Sequence, residues 1–337
     1  MAFPEIPPGH EVKWRGARGV HVMGTSWAMV IGMRAFCNFL TLRHIDRMAK
    51  FNLVIIHTPE RQRVSDFTTI REILKQKAPD IDVHIFSPEI PVPKGFWRNA
   101  AARPTVLFSP MPGPKDLDPR IRGQRLFAKR LSKFDEAHFL ARAGFPVPLT
   151  QKILPDTVLD ERVWGPFTVI KPNMGYRGRG ISLVRTRDVR WIDTLLLPSD
   201  HPRYGQNLIA QQFIDTGPHA TCYRVMTVLG ARVYSVMSTA VQALPPLDKL
   251  ADGPIEIEIA ANGGPRRMAL FDDPEITALA QQVHARLTHT SVMGVDIIRD
   301  HATGKPVVME MNGGGGQSVQ HLQIADTLVD ITFDAGA

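Results

Sequence analysis

The stretch Phe167-Thr-Val-Ile-Lys171-Pro-Asn-Met-Gly175-Tyr-Arg-Gly178-Arg-Gly180-Ile-Ser-Leu-Val-Arg185 decides how this chain is read. A β-branched apolar run ends at Lys171, a loop with three glycines and two arginines follows, and a second apolar run covers 181–184. The pattern predicts strand, glycine-rich tip and strand. Glycine lets backbone N–H groups approach a phosphate with no Cβ in the way, while Lys171, Arg177 and Arg179 supply positive charge. Dinucleotide-binding and P-loop signatures need a helix directly after their glycines, and Ile-Ser-Leu-Val does not start one. The reading is therefore a β-loop lying over an anion. A basic hairpin tip without a ligand is the alternative that this stretch alone leaves open.

A second chemical cluster lies at Met293-Gly-Val-Asp296-Ile-Ile-Arg-Asp300-His-Ala-Thr-Gly304-Lys-Pro-Val-Val-Met-Glu310-Met-Asn312. Two apolar strands flank a short glycine-containing turn. Pairing centred on Thr303 sets Asp296 opposite Glu310, and the strand period of two puts Asn312 on the face of Glu310. Two carboxylates and an amide oxygen then converge on one face. Hard oxygen donors of this kind suit Mg²⁺ or Mn²⁺, with substrate phosphates completing the shell. The competing reading is a solvated face whose carboxylates pair with lysines or arginines. The apolar neighbours argue against it, because unneutralised carboxylates among buried residues are costly.

Outward from these hairpins, the first third of the chain alternates. Residues 19–23, 53–57, 83–86 and 105–108 read as strands, and 29–50 and 67–77 as helices, which predicts an α/β domain with a parallel sheet. Pro104, Pro110, Pro112, Pro114 and Pro119 mark a boundary. A helix is expected over 122–143, closed by Gly144 and Phe145-Pro-Val-Pro148. Strands are expected at 207–214, 223–229 and 232–238, the last two joined by Gly230-Ala231, and a final helix at 275–288.

With 337 residues and 44% hydrophobic content, the chain can bury a full core. The formal charge of +7 favours anionic partners, and Arg120, Arg122, Arg125, Lys129, Arg130 and Lys133 concentrate it in one segment. That segment reads either as a solvated face or as a surface facing phosphate or an acidic substrate. Zinc-finger spacing, an aromatic-interleaved basic stripe and an RNA-recognition sequence are absent, so no nucleic-acid partner is expected. Cys37 and Cys222 are far apart without metal spacing, as in a reduced, cytoplasmic protein. The apolar run at 19–40 is broken by Gly24, Thr25, Ser26, Gly32 and Arg34 and reads as strand, loop and helix rather than a signal peptide. No stretch is long and apolar enough to span a membrane. Gly-x-Ser-x-Gly, His-Glu-x-x-His and a Walker lysine followed by Ser or Thr are all missing. His57 at the end of a core strand and Gly24-Thr-Ser26 after the first strand are places where such sheets meet ligands, although a structural histidine and a plain turn are the favoured readings.

Taken in order, six motifs resemble the ATP-grasp superfamily. They are the helix that runs from near Lys133 into Ala143-Gly-Phe-Pro-Val-Pro148, Val169-Ile-Lys171-Pro with its glycine loop, Ala210-Gln-Gln-Phe-Ile214, Tyr223-Arg-Val225, Gly294-Val-Asp-Ile-Ile298 and Met309-Glu-Met-Asn312. The closest shape is the branch of glutathione synthetase, the ribosomal-protein glutamate ligase and D-alanine–D-alanine ligase. The resemblance covers about residues 133–318. It implies an N-terminal parallel-sheet α/β domain (1–118), a central grasp subdomain with the glycine-rich loop (119–210) and a C-terminal subdomain with the metal site (211–337). By the same resemblance, Lys133 and Lys171 hold ATP phosphates and Gly175, Gly178, Arg179 and Gly180 form the loop that closes over them. Gln211, Gln212, Phe213 and Ile214 read adenine, with main-chain groups of Gln212 and Ile214 at the base edge, and either Asp215 or His219 takes the ribose. Asp296, Glu310 and Asn312 resemble Mg²⁺ ligands. Arg224 resembles an arginine that holds a substrate or transferred phosphoryl oxygen, and Lys171 and Asn312 join it in the expected catalytic set.

Two departures bear on the acceptor. The arginine expected after the strand end near Met237 is absent from Ser235-Val-Met-Ser-Thr-Ala240, with Arg266 or Arg267 as replacements, and Gly313-Gly-Gly-Gly316 stands where a Pro-Gly turn is usual. Asn262-Gly-Gly264 resembles the asparagine–glycine stretch before the last helix. The resemblance implies an ATP- and Mg²⁺-dependent ligase that joins a small carboxylate to an amine, with a homodimer as its candidate assembly. A phosphotransferase with a hydroxyl acceptor and a non-catalytic ATP-binding regulator are the alternatives.

Overall fold

The computed structural model describes residues 51–57, 64–86, 95, 96, 98, 102–111, 113, 123–128, 131–175, 178–247, 250, 256–258, 265–313, 321–324 and 327–330. The expected strand at 19–23, the helix at 29–50, Gly24-Thr-Ser26, Cys37, Arg120, Arg122, Lys129, Arg130, Arg177, Asn262-Gly-Gly264 and residues 314–318 lie outside them.

The first sheet holds β1 (Phe51–Ile56), β2 (Ile81–Phe86), β3 (Thr105–Ser109) and β4 (Gln124–Phe127), in the order β2-β1-β3-β4. Every pairing in it is parallel. Parallel strands are covered on both faces, which is why Phe-Asn-Leu-Val-Ile-Ile and Thr-Val-Leu-Phe-Ser are nearly continuous apolar runs. Helix α1 (Val64–Lys77) covers one face through Phe67 and Leu74, packed with Leu53, Ile55, Val106 and Phe108.

The helix expected over 122–143 needs correction. Residues 124–127 form β4, paired in parallel with β3, and helix α2 spans only Lys133–Arg142. The physical reason is Leu126, which is 3% exposed within the core of the first sheet and commits its short segment to strand. Helix α2 starts where Ser132 caps it, its Oγ accepting from the Asp135 N–H at 3.2 Å.

Two antiparallel sheets follow. The remaining elements in chain order are β5 (Thr150–Lys152), α3 (Glu161–Trp164), β6 (Phe167–Pro172), β7 (Ser182–Arg185), β8 (Leu208–Gln212), β9 (Thr221–Val228), β10 (Ala231–Ala240), β11 (Glu256–Glu258), β12 (Arg266–Leu270), α4 (Pro274–Ala285), β13 (Val292–Arg299), β14 (Pro306–Gly313), β15 (His321–Ile324) and β16 (Thr327–Asp330). One sheet runs β11-β7-β6-β8-β5 and carries the glycine-rich loop between β6 and β7. The other runs β12-β10-β9-β13-β14, and β15 pairs with β16 apart from both. The glycine-loop hairpin and the strands from 207 to 240 therefore form as the alternation predicts.

Each antiparallel sheet divides its residues by parity. In the β9–β14 sheet, Val225, Met293, Val295, Ile297 and Met311 pack with Ile276, Ala280 and Val283 of α4 and Leu140 of α2. Their neighbours Arg224, Asp296, Glu310 and Asn312 share the opposite face, as the registers Asp296↔Arg224 and Asp296↔Glu310 require. The pairing centred on Thr303 holds at Asp296↔Glu310. It then slips by one, Ile297 facing Val308, so Met309 is the extra residue of a bulge. The link at 146–149 ties the two sheets together. Pro146 O accepts from Val308 N and Leu149 O from Gln212 N, both at 2.8 Å. The first sheet docks against 289–291 through the Phe127 N to His289 O bond and the Ser291 hydroxyl, which donates to Ser109 O.

Ile297 is fully buried between β9 and α4. Ile297→Ala should lower unfolding stability by about 2–5 kcal/mol, read as a lower urea midpoint at unchanged slope.

Candidate functional site

Strand β6 is buried along its whole length and carries Lys171, 5% exposed, as its last residue but one. A lysine buried this far needs a partner. Lys171 Nζ donates to Gln211 Oε1 at 2.8 Å, and Gln211 Nε2 donates in turn to Thr150 Oγ1 at 3.2 Å. Burial pushes the Lys171 ammonium down to about 8 and Lys133 adds to the effect, while Glu310 and Glu136 oppose it.

Helix α2 delivers Lys133 to the same place. Lys133 N donates to Asn173 O at 3.0 Å and Phe134 N to Asn173 Oδ1 at 3.0 Å, so the first residue after β6 caps the helix. Lys133 Nζ meets Glu310 Oε2 at 2.8 Å, with side chains 12% and 30% exposed. Burial alone would raise the Glu310 carboxyl, but Lys133 and Lys171 outweigh it and hold it below its usual value. Glu136 stands one turn after Lys133, 5% exposed, and accepts from Met311 N. Burial first, and Glu310 second, push its carboxyl up to about 8.

Beside this quartet lies a second knot. Arg224 Nε and Nη2 donate to Asp296 Oδ1 and Oδ2, both at 2.6 Å, and Asn312 Nδ2 donates to Asp296 Oδ2 at 2.9 Å. The bidentate pair raises the Arg224 guanidinium further above its ordinary value, with Asp296 as the largest cause. Gly294 keeps the space open. A Cβ there would meet Met226 Sδ at 2.9 Å and Arg224 Cδ at 3.7 Å. Cys222 sits on the same face, with its thiol raised by burial and by Asp296.

The structure thus brings together Lys133, Lys171, Glu310, Arg224, Asp296 and Asn312. Two carboxylates and an amide on facing strand positions are hard oxygen donors and fit a small divalent cation. Asn312 turns Nδ2 toward Asp296 here, so its Oδ1 would join them only after the amide rotates. Here both carboxylates are neutralised by Lys133 and Arg224, and among the described residues no three His, Cys, Asp or Glu side chains gather as a metal cluster.

Other expected residues are placed differently. The 178–180 turn has positive φ at Gly178 (68°) and Gly180 (70°), and Arg179 is exposed on it. A Cβ on Gly180 would crowd Pro202 and Arg203 at 3.1 and 3.2 Å, and Arg203 Nε donates to Gly180 O at 3.0 Å. Gly175 is exposed beside Pro172. Gln211 works through its side chain, on Lys171. The Gln212 amide is committed to Leu149 O, so its N–H is spent inside the fold. Phe213 packs against Phe167, Val169 and Leu183, and Ile214 is half-buried beside it. Asp215 Oδ1 accepts from Gly217 N, and His219 Nδ1 lies 3.1 Å from Ala240 O. Arg266 reaches Ser238 Oγ at 3.4 Å on the face of Arg224, whereas Arg267 alternates to the other face. His57 is buried edge-on against Phe67, a structural role.

Sequence reasoning missed Glu136, Asn173 and Arg203. Glu136 had a signal, because Lys133, Glu136, Ala137 and Leu140 share one helical stripe and the last three are buried. Asn173 and Arg203 had none, their partners being 39 and 23 residues away.

Fold and site together define an α/β protein in which a glycine-loop sheet and a second antiparallel sheet meet over paired lysines and carboxylates. The sequence pattern of the ATP-grasp domain matches residues 131–313, more than half of the chain, and the chain belongs to that family. Among solved structures it is similar to the D-alanine–D-alanine ligase of Bacillus anthracis, at 11% identity over 80% of this chain and 89% of that one, TM-score 0.42. It is also similar to the D-cycloserine synthetase DcsG, at 15% identity over 79% and 92%, TM-score 0.40. A third is the ATP-grasp ligase PsnB in complex with a phosphomimetic precursor variant, Mg and ADP, at 14% identity over 80% and 92%, TM-score 0.44. Likenesses this loose carry no residue-level argument, and membership rests on the matched domain. No curated protein matches the sequence. Among the described residues, no helix is long and apolar enough to cross a membrane.

Glu136 also predicts a pH effect. Its carboxyl is raised from 4.5 to about 8 on folding, so the stability it contributes is complete below about 4.5 and is lost as pH rises toward about 8. Urea unfolding at about pH 5.5 and about pH 7.5 should show the wild type losing ground to Glu136→Gln, which lacks the titration, as pH rises. Equal pH slopes for the two proteins would contradict the assignment.

Proposed function

We propose that the protein is an ATP- and Mg²⁺-dependent ligase of the glutathione synthetase and ribosomal-protein glutamate ligase branch. It activates a small carboxylate as an acyl phosphate and joins it to an amine. The observation that carries the reading is the cluster of Lys133, Lys171 and Glu310. Two lysines from different elements, one of them deeply buried, face a carboxylate on the neighbouring sheet. A lysine with its charge compressed in this way gains most from an arriving polyanion, which supports phosphates as the ligand.

Each group has a role in this reading. Lys133 and Lys171 hold phosphate oxygens, and the loop at 175–180 closes over them and excludes water. Asp296, Glu310 and Asn312 would hold a divalent cation, which when bound would neutralise charge on the phosphate oxygens. Arg224, already aligned beside Asp296, steadies the negative oxygens of the reacting group. The substrate carboxylate attacks the terminal phosphorus and ADP leaves. The amine nitrogen then attacks the acyl carbon, phosphate leaves, and a proton is lost from nitrogen. Little covalent work falls to the protein; positioning and charge stabilisation provide the rate.

Lys171→Ala removes a charged hydrogen bond worth roughly 1.5–3 kcal/mol, so ATP should bind about 10- to 150-fold more weakly by calorimetry. Unchanged affinity removes Lys171 from the phosphate site. With ATP, Mg²⁺ and an acid screen, hydroxylamine should trap the acyl phosphate as a hydroxamate, and Glu310→Gln or Asp296→Asn should abolish it. A phosphorylated product without hydroxamate would instead establish a hydroxyl acceptor.

A further inference from the structure

Strand β14 is an edge of its sheet, so the N–H groups on its outer side have no strand to bond. Two of them are satisfied by other elements. Val308 N donates to Pro146 O, and Met311 N donates to Glu136 Oε1. These donors are three residues apart rather than two because the bulge at Met309 inserts one residue between them. Met311 turns its own side chain into the core, and its sequence neighbours Glu310 and Asn312 face the site.

Helix α2 therefore reaches consecutive residues of β14 from a single turn. Lys133 bonds the Glu310 side chain at 2.8 Å, and Glu136, three residues on, bonds the Met311 main chain. The first contact joins two partly exposed side chains that can rotate away. The second is buried and fixes backbone. Its far end is fixed as well, since Asn173 holds the start of the helix to the end of β6.

The geometry points to Glu136 as a positioning residue for the nucleotide site, whose buried carboxyl locks the main chain between Glu310 and Asn312 to the helix turn that carries Lys133. This inference rests on the reading of Lys133 and Glu310 as parts of the ATP and cation site. Glu136 takes no part in chemistry. It sets the separation between a lysine on one element and carboxylate and amide donors on another, a distance that otherwise depends on side-chain torsions. Its ability to accept the bond matters and its charge does not. Gln preserves the acceptor, Leu preserves the volume and deletes it.

The experiment is calorimetric titration of ATP with Mg²⁺ into the full chain as wild type, Glu136→Gln and Glu136→Leu, with hydrogen exchange of the peptide containing Met311. Glu136→Gln should bind ATP within about twofold of wild type and keep that peptide protected. Glu136→Leu should bind about tenfold more weakly or worse, with faster exchange there. If Glu136→Leu does not fold, Glu136→Asp, which withdraws the acceptor by one methylene, should show the same loss. Wild-type affinity in both the Leu and Asp variants overturns the inference while leaving the ligase reading intact. A loss in Glu136→Gln as large as in Glu136→Leu also overturns it, because charge rather than the accepted bond would then matter. A wild type that binds no ATP defeats the ligase reading itself and the inference with it.

Discussion

The ion pair between Lys133 and Glu310 is the interaction on which the rest of the site depends. It joins helix α2 to the edge strand of the β9–β14 sheet, and it lies within electrostatic reach of Lys171 at the end of β6. Without a carboxylate there, two lysines would face each other in a region where one is almost fully buried. Without the lysines, Glu310 would stand beside a second buried carboxyl, Glu136. Neither half is tolerable alone, because isolated charge in a low-dielectric setting costs several kcal/mol. The cluster works only when the three elements that supply it are docked, so the site and the packing of the two antiparallel sheets form together.

Strand alternation allows that docking without disturbing the core. Every second residue of β9, β13 and β14 enters the cluster with Leu140, Ile276 and Val283, and the residues between them carry the polar site. The bulge at Met309 breaks the alternation once, where it turns Met311 N outward to Glu136. Asp296 keeps its place through a fork of two bonds from Arg224, a geometry that lysine cannot supply. A bidentate pair of this kind prevents the carboxylate from drifting toward the lysine cluster and keeps the two charge groups distinct.

Much of this was legible in the sequence, and the limits have physical causes. The hairpin at 292–313 could be registered because its apolar runs alternate and its turn is short, so symmetry about Thr303 places Asp296 opposite Glu310. The strands of the first sheet were legible as unbroken apolar runs. The helix expected over 122–143 failed because Gln-Arg-Leu-Phe is too short to show a period, and pairing with β3 rather than local propensity decides it. Glu136 shares a helical stripe with Ala137 and Leu140, but that stripe does not name its partner. Its burial comes from contact with a strand 175 residues later, which composition does not reveal. The strand expected at 207–214 forms as β8 over Leu208–Gln212, yet the commitment of its Gln212 amide to Leu149 depends on the link from α2.

The central claim is that a substrate carboxylate receives the terminal phosphoryl group before an amine displaces it. Isotope transfer tests that claim without any assumption about residue roles. The acid that supports ADP release, labelled with ¹⁸O in its carboxylate, is turned over with its amine, and the released phosphate is examined by ³¹P NMR. The account predicts that one ¹⁸O passes from the carboxylate into phosphate for each amide formed. Phosphate without label, or a phosphorylated product in place of an amide, would contradict it.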